Sequence, residues 1–278
     1  MKDKRGKKIQ EGQCCFALFA LLAIFALGSS CMQLPQFQVH AKIEDRHWWF
    51  CGRRTIFRAL LSRLVPVRTG RKLLDVGCGT GGNTAAFSAE YDCTGVEPVM
   101  EAMSFARKHF PHCRFIQGIA PRDVPKEMAN ADIVLLADVL EHVLDDRTLV
   151  RDLIHAMKLG AVLLVMAPAD KKLWSPHDRG FEHFRRYDLE TARALWQGLP
   201  VEELVCSYCN SRLYWPIRLV RIVTRFFGRS LGPSDTDLSL PPAPINALLR
   251  RIFESETKRI QTKGFRHGVS FIAMLRRI

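Results

Sequence analysis

The sequence predicts an α/β protein built on a mostly parallel, doubly wound sheet with helices on both faces. Three observations predict it. Short apolar runs of strand length recur between residues 71 and 278. Helix-like stretches separate most of them, and the first run opens into a glycine-rich turn.

The runs follow in order. RKLLDVG (71–77) reads as a first, buried strand and GNTAAFSAEY (82–91) as a helix. DCTGVEP (92–98) is a second strand, VMEAMSFARKHF (99–110) a helix and CRFIQG (113–118) a third strand. DIVLLADV (132–139) and GAVLLVMAP (160–168) are the fourth and fifth, with DRTLVRDLIHAMK (146–158) a helix between them. LETARALWQ (189–197) is helical, VEELVCSYCN (201–210) is a sixth strand and GVSFIAMLRRI (268–278) a seventh. A helical insert over 211–266 separates the last two, interrupted by the proline-rich GPSDTDLSLPPAP (232–244).

Composition sets limits. With 278 residues, 47% of them hydrophobic, the chain can bury one sizeable core. Its nine cysteines are scattered and form no disulfide framework, which suits a reducing compartment. Cys206 and Cys209 make a lone C-x-x-C without the second pair a zinc ribbon needs. Net charge is +13, but residues 41–209 carry only +1, against +3 on 1–40 and +9 on 210–278. A near-neutral middle argues against a nucleic-acid groove across the core.

Residues 1–40 form a separate unit, in which MKDKRGKK is followed by the apolar CCFALFALLAIFAL (14–27). Two readings stay open: a signal-anchor-like leader, or a chain that starts at Met32. Residues 41–278 form the domain.

LLDVGCGTGGN (73–83) frames the chemistry. Gly77, Gly79 and Gly82 fit the G-x-G-x-x-G of a dinucleotide site, yet Asp75 lies two residues before the first glycine. An acid there repels a pyrophosphate and suits a cationic ligand such as S-adenosylmethionine, which has an ammonium, a sulfonium and no phosphate. Glu97, 22 residues on at the end of the second strand, is placed to accept from both ribose hydroxyls. Asp75, Gly77, Gly79, Gly81 and Glu97 are therefore the expected cofactor residues.

LLDVGCGTGGNT, TGVEP and ADIVLLADVLEHV resemble strand motifs of the class I S-adenosylmethionine-dependent methyltransferases. EDRHWWFCGRR (44–54) and HDRGFEHFRRYDLETARAL (177–195) are similar to a bacterial subgroup often found among cell-surface glycan genes. The resemblance covers about residues 41–278. It implies a Rossmann-like seven-stranded sheet with the last strand antiparallel, the cofactor S-adenosylmethionine, Gly118 near the adenine and Asp138 facing the methyl donor.

For the reaction, in-line transfer from a sulfonium needs orientation above all. His142, His183 and Tyr187 are the candidate catalytic residues. HDRGFEHFRRYD, with His177, Asp178, Arg185 and Arg186, is read as an anion- or sugar-binding loop or as a solvated one. Asp138, Glu141 and His142, spaced i, i+3, i+4, would share a helix face. The spacing is similar to the metal-binding motif of quinone-biosynthetic O-methyltransferases, and a base or packing role for His142 stands beside it; no metal is expected. HWWF with Arg53 and Arg54 is expected to form a helical lid.

The acceptor is expected to be a small molecule or a glycan. The alternative is a catalytically silent, cofactor-binding interaction protein. Arg218, Arg221, Arg225 and Arg229 line one face of a helix within 211–230. That helix either lies on a membrane, on the cytoplasmic side, or caps the domain with its apolar side inward.

Overall fold

The computed structural model describes residues 34–65, 70–227 and 239–278. Seven strands form one sheet: β1 (Lys72–Val76), β2 (Asp92–Glu97), β3 (Arg114–Gln117), β4 (Ile133–Ala137), β5 (Val162–Pro168), β6 (Val201–Cys209) and β7 (Ser270–Arg277). Their order is β3-β2-β1-β4-β5-β7-β6. β1 to β5 pair in parallel, and β7 runs antiparallel to both β5 and β6. This is the expected seven-stranded sheet with its last strand reversed.

The helices are α1 (Leu34–Ile43), α2 (Trp48–Leu64), α3 (Gly82–Phe87), α4 (Met100–His109), α5 (Pro125–Asn130), α6 (Asp146–Ala156), α7 (Pro176–Gly180), α8 (Leu189–Ala194), α9 (Tyr214–Phe227), α10 (Ala243–Glu254) and α11 (Thr257–Ile260).

The central strands are apolar throughout because both sheet faces are covered, and successive residues serve opposite faces. Val134, Leu136, Leu163, Val165, Ala273 and Leu275 meet Val150, Leu153 and Ile154 of α6 on one side. Ile133, Leu135, Leu164, Met166, Ile272 and Met274 meet Ile56, Phe57, Leu60 and Leu61 of α2, with Phe253 of α10, on the other.

The insert is bound to the N-terminal region rather than hanging from the sheet. Phe253 stacks on Trp49 with centroids 5.1 Å apart and planes 3° from parallel. Gly52 is what permits this approach, since a Cβ there would lie 2.7 Å from the Phe253 ring. Asn246 accepts from the Trp48 amide and donates to the Arg46 carbonyl, both at 2.8 Å.

α9 is oriented against the cap expectation. Its buried residues are Tyr214, Arg221 and Thr224, while Leu219, Ile222, Val223, Phe226 and Phe227 are exposed. The reason is electrostatic: Arg221 reaches inward to Asp178 and to the Ser175 hydroxyl. The packed side of the helix thus carries Tyr214, Arg221 and Thr224 rather than its phenylalanines.

The leader expectation falls mainly on residues 1–33, outside the described residues. Residues 34–40 belong to α1, which packs against α4 and buries Phe37. No helix among the described residues is long and apolar enough to cross a membrane.

Candidate active site

The strand order reverses between β1 and β4, so the carboxyl ends of these two neighbours diverge into opposite crossovers and leave a crevice. The glycine turn closes one side of it. Gly77, Gly79 and Gly81 have φ of 68°, 55° and 90°, a region that glycine enters without strain. Around Gly79 the space is open: a Cβ there would meet nothing within 4 Å.

Glu97 ends β2 beneath this turn. Its carboxylate accepts from the Gly79 amide at 2.9 Å and the Val99 amide at 3.0 Å. One bond per oxygen leaves each with a further lone pair for a ligand hydroxyl. Burial raises its pKa, against the pull of those two amides. Gly118 follows β3, and its amide donates to the Glu97 carbonyl at 3.1 Å. The neighbouring Ile119 amide is held by Asp123 at 2.8 Å.

Asp75 corrects the expectation of an acid at the mouth. It is 1% exposed, under the turn, and accepts from the Thr84 hydroxyl at 2.7 Å. Burial pushes its pKa up to about 6. Its side chain shares the sheet face with Leu73 and Ile133, because strand alternation turns it toward α2. A second acid, Glu44, follows α1 and is buried against the glycine turn. It accepts from the Thr80 hydroxyl at 2.8 Å, and a Cβ on Gly82 would run into its carboxylate. Burial raises its pKa as well.

Asp138 leaves β4 with φ 57° and forms an ion pair with Arg53 of α2. Arg53 also donates to Asn83 of α3 at 3.3 Å, and Arg54 donates to the Glu44 carbonyl. The HWWF…RR segment thus forms a helix, and its two arginines tie it to Asp138, Asn83 and the Glu44 carbonyl. Asp138, Glu141 and His142 do not share an α-helical face, since Leu140–His142 is a single 3-10 turn.

Beside Asp138 opens a cavity of about 420 Å³. Trp48, Trp49, Phe181, Leu213, Ile217 and Val220 supply much of its apolar wall. His40, Glu141, His142, His177 and His183 line its polar end. His142 and His183 meet edge to face with ring centroids 4.8 Å apart. Burial depresses the His142 pKa to about 3, helped by His183 and His40, so its imidazole is neutral at pH 7.

Asp178 organises this end. It is fully buried and bonds His183 Nδ1 at 3.1 Å, Arg186 at 2.7 Å and the Ser175 amide at 2.9 Å. Burial works to raise its pKa, but His183, Arg186 and Arg221 together hold the carboxyl well below the usual range. Arg186 and Asp178 are therefore committed to each other rather than free for an anion.

Tyr187 is not brought to the site. It is 2% exposed, and its hydroxyl donates to Asp146 at 2.6 Å. Its backbone bridges Ala169, which draws the ring into the core beside Phe271. Arg185 likewise pairs with Asp146, at 3.0 Å.

The groups around the turn fit S-adenosylmethionine, the cofactor the resemblance implies. Open space over Gly79, a Glu97 carboxylate with spare lone pairs and the Glu44 carboxylate on the loop answer a nucleoside bearing an ammonium.

The comparisons agree. Curated relatives include trans-aconitate 2-methyltransferase of Delftia acidovorans, 28% identical over 127 residues, covering 44% of this chain and 47% of that protein. Ajmaline N-methyltransferase of Rauvolfia serpentina is 25% identical over 183 residues, covering 61% and 59%. The chain spans about half the length of the curated relatives it matches. Among solved structures, the plantazolicin methyltransferase BamL has a TM-score of 0.50 at 13% identity, covering 87% of this chain and 89% of that one. The cyclase SpnF also scores 0.50, at 16% identity with 80% of each chain covered. A family described as "Methyltransferase domain" matches residues 51–214, more than half of the sequence. With the β3-β2-β1-β4-β5-β7-β6 sheet and the glycine turn in place, the chain belongs to this methyltransferase domain family, within the class I S-adenosylmethionine-dependent enzymes.

Proposed function

We propose that the protein transfers a methyl group from S-adenosylmethionine to a small-molecule or glycan acceptor held in the cavity beside Asp138. One observation carries the reading: Asp138 lines the cavity and pairs with Arg53, which also reaches Asn83 at the start of the helix after the glycine turn. A donor over the turn and an acceptor in the cavity would meet there. Bound cofactor supplies an electrophilic methyl on a sulfonium whose departure leaves a neutral thioether.

Glu97 would hold the ribose, the Gly77–Gly81 turn the amino-acid portion, and Gly118 would border the adenine. Glu44 would face the ammonium. Arg53 keeps Asp138 oriented and α2 seated, which excludes water from the crevice. Most of the acceleration would come from alignment, since well-oriented reactants gain roughly 7–11 kcal/mol this way. His142 and His183 face the acceptor side, where a positioned base contributes about 10²–10⁴-fold.

The outward apolar face of α9 supports a finer reading of the acceptor. Phe226 and Phe227 are 84% and 69% exposed, and Arg218 stacks on the exposed Trp215 at 5.3 Å. Together with the +9 charge of residues 210–278, that pattern matches an anionic lipid surface. Val220 and Ile217 of the same helix line the cavity. A lipid-linked saccharide would thus reach the site from the membrane plane.

The test is release of S-adenosylhomocysteine by the full chain against glycan and membrane-lipid fractions, with cofactor binding followed by calorimetry. Binding with turnover on one fraction supports the reading. Failure to bind the cofactor removes it, and binding without turnover on any fraction favours the silent interaction protein.

A further inference from the structure

Glu141 poses a problem that methyl transfer by alignment does not solve. It is 1% exposed, and both of its carboxylate oxygens are buried without a hydrogen-bond partner. Buried polar atoms are nearly always satisfied, so a bare carboxylate marks a missing ligand, proton or ion. Nδ1 of His142 next to it is buried and unpartnered too. The Glu141 main chain is fixed in place, since its carbonyl accepts from the Phe184 amide at 2.7 Å. That bond joins the 3-10 turn after β4 to the loop carrying His183.

We propose that Glu141, His142 and His183 form a binding site for a divalent transition-metal ion of the zinc type. One ligand atom from each of the three lies within 4.8 Å of the others. Tetrahedral bonds of about 2.0–2.2 Å hold ligand atoms roughly 3.3–3.6 Å apart, so the widest pair closes by about 1.2–1.5 Å on binding. Two imidazoles and one carboxylate suit zinc, iron(II) or cobalt(II) better than magnesium or calcium, which take oxygen ligands.

One further feature belongs to a metal site. Asp178 bonds His183 Nδ1, which fixes the tautomer and leaves Nε2 with its lone pair, as carboxylates do behind ligating histidines. The trio differs from the sequence expectation in one member: Asp138 is taken by Arg53, and His183 stands in its place.

All three residues line the cavity, so the coordination positions they leave open face the acceptor. The ion would take an oxygen donor such as a hydroxyl or enol. Coordination acidifies the O–H, whose proton passes to water; the new C–O bond then forms as the C–S bond breaks, with no change of oxidation state. What the ion activates rests on the methyltransferase reading, whereas its binding does not.

The test uses the full chain, stripped with a chelator and titrated with Co²⁺. One ion per chain, with visible d–d absorption and no thiolate charge-transfer band, is expected. Glu141→Gln and His183→Ala should each weaken binding at least tenfold, while Cys209→Ala leaves it unchanged. Cofactor calorimetry on the same samples separates the two readings. Because Glu141→Gln could fold poorly, the wild-type chain also provides a measurement: its melting temperature should climb with Zn²⁺ concentration. A stripped chain that binds cofactor but neither takes up Co²⁺ nor gains stability with Zn²⁺ overturns the proposal. So does uptake indifferent to both ligand substitutions, or uptake lost with Cys209.

Discussion

Glu97 is one of two acids on which the proposed cofactor site turns, and each has a different physical standing. Its carboxylate is tied to the turn by two amides and keeps lone pairs for a diol. Removing hydrogen bonds to a charged group costs about 1.5–3 kcal/mol. Glu97→Ala should therefore weaken S-adenosylmethionine binding roughly 10–150-fold, read by calorimetry. Glu44→Gln tests the second acid: a weaker grip on the cationic cofactor with unchanged affinity for free adenosine is expected, from competition titrations. Glu97 was legible in the sequence because a strand end and a fixed spacing locate it. Glu44 was not, since it meets Thr80 across 36 residues, a contact made only when α1 folds over the turn. Asp75 was legible as a residue but not as a location, because its turn into the core depends on what packs above the sheet.

Between elements, the contact of α2 with α10 is the tightest constraint. Gly52→Val would drive methyl groups into the Phe253 ring and should lower stability by about 1–3 kcal/mol, seen in urea denaturation. The apolar face of α9 should behave differently. Leu219→Glu with Phe226→Glu should abolish sedimentation with anionic vesicles yet leave the melting temperature within a degree or two, since both side chains are exposed. Strands were legible as short apolar runs because a doubly covered sheet demands them. The orientation of α9 was not, since Arg221 finds its partner Asp178 43 residues away in the chain. Periodicity gives two faces and does not say which one turns inward.

Across the molecule, buried His47 and half-buried His40, His142 and His177 have pKa values depressed chiefly by desolvation, with His40 and His142 at about 3. The folded state keeps them neutral while the unfolded chain takes up protons below about pH 6.5. Their contribution is complete above that pH and is lost as pH falls toward the folded values. Asp75, raised to about 6, acts in the opposite sense, so the comparison must be made against a variant. In metal-stripped protein, His142→Gln should flatten the acid-side loss by about 1.4 kcal/mol per pH unit between pH 6 and 4, measured by urea titrations at several pH values. The mostly parallel, doubly wound sheet followed from alternation and its reversed last strand from the family resemblance, whereas the histidine cluster needed separate loops to converge.

The region shared with the family ends at residue 214, yet the chamber beside Asp138 is completed by residues beyond it: Ile217, Val220, Arg221, Pro241 and Leu249. Under the proposed function, chemistry and selectivity would be carried by different stretches of one polypeptide. Grafting residues 211–266 onto a sister enzyme would carry substrate preference with them, while the donor half of the reaction stayed behind.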